Sequence, residues 1–208
     1  MRYYLSILSI VLLLSTNAGA YESVVLTGGF SRQDPGGAIE LESNYSYYGG
    51  VGLELTNNLF AILKFTAPIK YDGTKYPLMV DINDVDTELN FHQFTVFDIV
   101  LTGHYFIRLF DRSKIHPKLF GGLGLHWLYN STQVEGESDV IFYGIGPEFG
   151  LGAVWQSRPN LYFDFTVSVK FPYYNEYKKQ GAPKLAVGLD EQILAFNISL
   201  YYLLRWWE

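Results

Sequence analysis

The sequence predicts an all-β chain closed as an eight-stranded antiparallel up-and-down transmembrane β-barrel, and three observations carry that prediction. In FNISLYYLLRW, Phe196, Ile198, Leu200, Tyr202, Leu204 and Trp206 share one phase, while Asn197, Ser199, Tyr201 and Arg205 share the other. Side chains alternate across a strand, so such a stripe lays one face on an apolar medium and the other on a wetter interior. The same period recurs along the chain. The second observation is the amino-terminal MRYYLSILSIVLLLSTNAGA, with Arg2 near the start, an apolar run from Leu5 to Leu14 and the small residues Ala18, Gly19 and Ala20. It reads as a signal peptide over residues 1–20, cleaved after Ala20, ahead of a single domain over 21–208. The third is composition, with aromatics at 17%, 17 Tyr and 20 Gly, which suits interfacial rings outside a barrel and small residues inside it.

Composition also excludes alternatives. No segment has the roughly 20 consecutive apolar residues of a spanning helix. With no cysteine, the chain has no disulfide scaffold, thiol nucleophile or lipidated cysteine. The formal charge is -6, and removal of Arg2 with the signal takes it to -7, so a basic nucleic-acid footprint is absent.

Taken in order, the expected strands lie near Ser23–Gln33, Asn44–Leu55, Leu59–Ala67, Phe91–Leu109, Pro117–Tyr129, Val140–Trp155, Leu161–Phe171 and Leu185–Trp206. The first is the least regular. Their connections alternate in length: DPGGAIELES, Ile69 to Asn90, STQVEGESD and Pro172 to Lys184 are long and polar, whereas TNN, FDRSKI and QSRPN are tight. Short periplasmic turns and long extracellular loops are what an outer-membrane barrel requires.

The apolar phase includes Tyr47, Val51 and Leu53, then Phe97, Ile99, Leu101 and Tyr105, then Leu119, Leu123, Leu125 and Trp127. It continues through Tyr143, Ile145, Phe149, Leu151 and Trp155, and through Phe163, Phe165, Val167, Val169 and Phe171. The opposite phase holds Gly50, Gly52, Gly122, Gly124, Gly144, Gly146, Gly150 and Gly152. A narrow lumen needs such small residues, while the outside of a soluble barrel would carry many long charged ones, so the apolar phase is assigned to lipid.

Among those glycines stand Glu54, Lys64, Asp98, His104, Arg108, Lys118, His126, Glu148, Asp164, Lys170 and Arg205, of both signs. They are expected to pair across the lumen, because a lone buried ion costs several kcal/mol. Glu54, Arg108, Lys118, Asp164 and Arg205 fall towards the periplasmic end, and Lys64, Asp98, His104, His126 and Glu148 nearer mid-height. Towards the outer end the inward positions are Tyr48, Phe94, Val96, Leu128 and Phe142, a candidate apolar cup for a small hydrophobic ligand. Rings at the strand ends, Tyr45, Tyr47, Tyr71, Tyr76, Tyr129, Tyr173, Tyr174 and Tyr177 at one rim and Trp155, Trp206 and Trp207 at the other, are candidate interfacial girdles.

No catalytic, metal or cofactor site is expected. DINDVDTE, residues 81–88, places carboxylates in alternation but has neither the glycine nor the closing glutamate of an EF-hand. The histidines His92, His104, His116 and His126 are each followed by Gln, Tyr, Pro and Trp, and a His-x-Ser pattern is missing.

The stretches YYGGVGLELTNNLFAILKFTAPI, PKLFGGLGLHWLYN and FGLGAVWQSRPNLYFDFTVSVK resemble the hairpins and the Pro-x-Leu/Val-x-Gly-x-Gly strand of the small eight-stranded outer-membrane proteins of the OmpA, OmpX and OmpW type. The layout is most similar to OmpW, including Ala67-Pro68 at the close of the third strand. The resemblance implies residence in an outer membrane, contact with its lipid and lipopolysaccharide, folding by the barrel assembly machinery and a monomeric state. It implies an assembly signal in the last strand, Phe196, Tyr202, Leu204, Trp206 and Trp207, read one or two places early because Glu208 follows. The function expected is structural or surface interaction without catalysis, then a narrow channel for small hydrophobic molecules, then a lipid A-modifying enzyme.

Overall fold

A computed structural model describes residues 23–36, 43–56, 58–72, 78–82, 86–89, 93–107, 114–131, 140–179 and 183–205. The signal segment, Arg108, Leu109, Tyr76, Trp206 and Trp207 lie outside these residues, as do the side chains of Tyr71, Phe94 and Arg205.

The described residues form strands β1 (Ser23–Pro35), β2 (Asn44–Thr56), β3 (Leu59–Thr66), β4 (Ile69–Asp72), β5 (Leu78–Ile82), β6 (Asp86–Leu89) and β7 (Gln93–Phe106). They continue with β8 (Ile115–Ser131), β9 (Val140–Arg158), β10 (Leu161–Lys170), β11 (Tyr173–Lys179), β12 (Lys184–Asp190) and β13 (Ile193–Arg205). Three pairs of segments act as single walls: β3 with β4, β10 with β11, and β12 with β13. The ring therefore has eight antiparallel strands and closes where β13 pairs β1 from Ser23↔Arg205 to Pro35↔Ile193. Closure gives the wall strands neighbours on both sides, which satisfies their backbone polar groups without water, except along β4, whose ladder among the described residues is with β7 alone.

The interruptions have local causes. Proline lacks an N–H and cannot complete a ladder, and Pro68 and Pro172 sit where β3 gives way to β4 and β10 to β11. Backbone bonds bridge the second break, from Phe171 N to Pro147 O at 3.0 Å and from Glu191 N to Pro172 O at 3.0 Å. The neighbouring break, at Glu191-Gln192, is bridged by Gly36 N donating to Gln192 O at 2.8 Å.

Two stretches expected as loops are partly strand. Ile69 to Asn90 contains β4 and the β5–β6 hairpin, and Pro172 to Lys184 contains β11. There β11 and β12 carry two walls of the ring onward, and the β5–β6 hairpin adds to the edge of β12 through Val187↔Ile82 and Gly188↔Asp81.

The two faces differ as the parity requires. Leu26, Phe30, Val51, Leu119, Leu123, Phe149, Leu151, Phe165, Ile198 and Leu200 are exposed outward, each more than two-fifths accessible. Large apolar residues contiguous around a closed wall are the surface of a barrel that crosses a membrane.

Candidate functional site: the filled lumen

Inward residues stack in three layers. At the short-turn end Val25, Phe60, Ile62, Phe106, Val154, Tyr201 and Leu203 form an apolar cluster, with Tyr162 against it. The ring centroids of Phe60 and Phe106 are 4.6 Å apart, and Phe106 meets Tyr201 edge-on at 6.3 Å. This lower layer is absent from the sequence expectation, which places charges at that end. Its signal is present as the alternation of Tyr201 and Leu203 and of Phe60 and Ile62.

Above it lies an ionic layer. Lys118 Nζ, almost fully buried, sits 2.6 Å from Asp164 Oδ1 and donates to Tyr201 Oη at 3.0 Å. Asp164 also accepts from Ser199 Oγ at 3.1 Å. Across the lumen Lys64 Nζ donates to both oxygens of Glu148 at 2.8 Å. Asp98 takes three partners: Lys170 Nζ at 2.6 Å, Thr66 Oγ1 at 2.5 Å and the His126 ring, whose Nδ1 stands 4.0 Å away. Each ion here has a partner of opposite sign, which offsets the penalty of removing it from water.

One aromatic ring joins the pairs. The Phe120 face lies 5.2 Å from Lys64 Nζ and 5.1 Å from Lys118 Nζ, so a single ring takes two cations by cation–π attraction. His104 stacks on the same ring, centroids 4.9 Å apart, and is held by Thr102 Oγ1 at 2.7 Å and Tyr201 Oη at 3.4 Å. His104 thus belongs to an aromatic stack rather than to an ion pair.

Glycine makes room for this arrangement. A methyl group on Gly150 would run into the Phe120 ring and come within 2.7 Å of Val167 O. One on Gly124 would stand 2.9 Å from both His126 Nε2 and Val100 Cγ2.

The third layer, towards the long connections, is apolar. Ile69, Val96, Leu128, Val140, Phe142, Tyr174, Tyr177, Val187 and Leu189 are buried together, with Leu185 against them. Phe142 touches Tyr177 at 5.3 Å and Tyr174 at 6.5 Å between ring centroids. Val96, Leu128 and Phe142 of the expected cup are therefore packed interior, each at most 6% accessible, and the backbone of Phe94 lies beside them on β7. Tyr48 is placed elsewhere, against the ionic layer, its ring 6.0 Å from Lys64 Nζ.

Tyr174 and Tyr177 correct the girdle expectation. Both turn inward, at 1% and 7% accessible. The register of β11 shifts between Tyr174 and Glu176, and a bulge of one residue brings positions three apart onto one face. Tyr45, Tyr47, Tyr173 and Trp155 remain outward and exposed.

Of the remaining charges, Glu54 is buried near the short turn beside Phe60, its Cα partner across the ladder. Arg108 and the Arg205 side chain lie outside the described residues. In the expected assembly signal Phe196, Tyr202 and Leu204 point outward, while Trp206 and Trp207 fall beyond the description. Among the described residues no group of three or more His, Asp or Glu converges as for a metal ion.

No protein-family model matches the sequence, and no curated protein matches it either. Solved structures do. Neisserial surface protein A superposes with a TM-score of 0.58 at 16% identity, covering 86% of this chain and 96% of that one. A major outer-membrane protein of Thermus thermophilus gives 0.56 at 11% identity, with 87% and 99% covered. The outer-membrane protein OprG of Pseudomonas aeruginosa gives 0.55 at 16%, with 88% and 96% covered. At these identities the fold is what is shared: the chain has the architecture of the small eight-stranded outer-membrane barrels.

Proposed function

We propose that the protein is a sealed, non-catalytic barrel of a Gram-negative-type outer membrane, with a structural and surface-interaction role carried by the sheet that β11, β12, β5 and β6 extend beyond the ring. The observation that carries the reading is the filled lumen, in which two apolar layers enclose paired ions. A hydrated ion crossing it would have to break Lys64–Glu148, Lys118–Asp164 or Lys170–Asp98 and part an apolar layer on each side. The signal peptide expected over residues 1–20, the absence of cysteine and the outer-membrane origin of the similar folds support the location. Outer-membrane lipid and lipopolysaccharide are then its surroundings, and the barrel assembly machinery its route of insertion.

A second reading rests on the wall itself. Pairing of β2 with the third wall strand runs to Tyr48↔Thr66 and adds Ala67 N donating to Tyr47 O at 2.7 Å. Beyond Pro68, β4 is paired with β7 on its other side. Ile69, at that point, belongs to the upper apolar layer. A small hydrophobic molecule reaching that layer would have a lateral seam towards lipid, which favours uptake without conduction.

Planar-bilayer recording of the refolded protein tests the first reading. The wild type is expected to give no discrete current steps. Steps in the wild type whose size changes in Glu148→Gln would overturn it. Electrical silence accompanied by transfer of a small apolar fluorophore into vesicles would favour the second.

A further inference from the structure

On the outer face of the wall, across β9, β10, β13 and β1, lies a groove of about 400 Å³. That volume falls in the range of about 300–1,000 Å³ typical of small-molecule sites. Phe30, Leu151, Phe165, Val167, Phe196 and Ile198 supply its apolar walls, and the groove opens outward between these exposed side chains. Its one charged lining residue is Arg32, at the upper end of β1.

Arg32 lies opposite Phe196 on β13 and Tyr45 on β2, so an aliphatic and aromatic surface runs directly into a guanidinium. Tyr45 and Tyr47 beside it are 65% and 72% accessible, the exposure expected of rings at a membrane–water boundary. A cation in line with an acyl-compatible groove at that depth matches a lipid whose anionic headgroup sits above its chain.

The guanidinium is held ready. Nε lies 3.2 Å from Asp34 Oδ1, and Nη2 donates to Ser43 Oγ at 3.4 Å. Among the described residues those contacts use two of its five N–H groups, and the Nη1 edge suits a bidentate acceptor. Asp34 balances part of the charge and orients the fork, and Arg32 itself is half exposed. Planar geometry and weak hydration make arginine the residue suited to a phosphate in this setting.

We propose that this groove is a specific site for a net-anionic lipid of the outer leaflet that carries a phosphate monoester, one acyl chain lying along Phe30, Val167, Phe196 and Ile198 and the headgroup phosphate on Arg32. The site rests on the outer-membrane reading but not on whether the lumen conducts.

Native mass spectrometry of the protein released from micelles doped with lipid A or with phosphatidylcholine tests it. The wild type is expected to retain lipid A in preference to phosphatidylcholine. Arg32→Gln is expected to lower lipid A retention at least about tenfold, because it removes both charge-assisted hydrogen bonds of the bidentate contact. Val167→Trp, which fills the groove and leaves the guanidinium in place, is expected to lower it as well. Folding of each variant is read independently from the heat-dependent shift in gel mobility, and the residues changed face outward, where the barrel core is not disturbed. Equal retention of both lipids by the wild type, or unchanged lipid A retention in folded Arg32→Gln or folded Val167→Trp, would overturn the site. A wild type that never shows the folded mobility in lipid would instead strike at the membrane reading beneath it.

Discussion

Replacing Asp98 with Leu is expected to be among the most damaging single changes in the barrel. Asp98 is the shared acceptor of Lys170, Thr66 and the His126 ring, and Lys170 is itself buried. The change leaves an ammonium in the lumen with Glu148 as its remaining nearby anion, and Glu148 is already engaged by Lys64. Removing one member of a buried pair costs about 3–5 kcal/mol, most of it the penalty on the ion left behind. Urea titration of the protein folded in lipid vesicles measures the loss. The double variant Asp98→Leu with Lys170→Met is expected to recover much of it, since a buried pair exchanged for apolar side chains is often near neutral. A single variant as stable as the wild type would mean that water reaches Lys170 and that the lumen is not filled.

The second large effect is steric. Gly150→Val is expected to cost about 1–3 kcal/mol, the range for overpacking a filled interior. The new side chain would displace Phe120, and with it the stack on His104 and the cation–π contacts from Lys64 and Lys118. Gly28 provides the comparison, because a methyl group there meets nothing nearer than Tyr48 O at 3.8 Å. Gly28→Ala is expected to leave the urea midpoint nearly unchanged. Equal effects at both positions would remove the distinction between an interior and an exterior glycine.

Much of the wall was legible in the sequence. Alternation in FNISLYYLLRW separates Phe196, Ile198 and Leu200 from Ser199 and Tyr201, and the structure exposes the first set and buries the second. Two-residue periodicity survives wherever a strand is regular, which is why the glycines and ions of β8 and β9 read cleanly. It loses its footing at Pro68, at Pro172 and at the register shift beside Asn175. There Tyr174 and Tyr177 turn inward together, against the parity of an unbroken strand.

Ion partners were not legible for a different reason. Lys64 and Glu148 are 84 positions apart, and Lys170 and Asp98 are 72 apart, so their meeting depends on how the tilted strands stagger around the ring. Parity places such groups inside but says nothing of height. The same stagger hides the lower apolar layer, whose members come from β1, β3, β7, β9 and β13. The groove beside Arg32 is built across four strands and has no local signature at all.

Everything depends on which face of the wall meets lipid, and spin labelling reads that face directly. The chain has no cysteine, so single cysteines at Ile198, Ser199, Leu200 and Tyr201 can each carry a nitroxide without background. In vesicles, oxygen, which concentrates in acyl chains, is expected to relax the labels at Ile198 and Leu200 strongly, with the labels at Ser199 and Tyr201 shielded from oxygen and from a water-soluble nickel chelate alike. Strong relaxation by the nickel chelate at Ile198 and Leu200 would contradict the account, because those side chains would then face water rather than membrane.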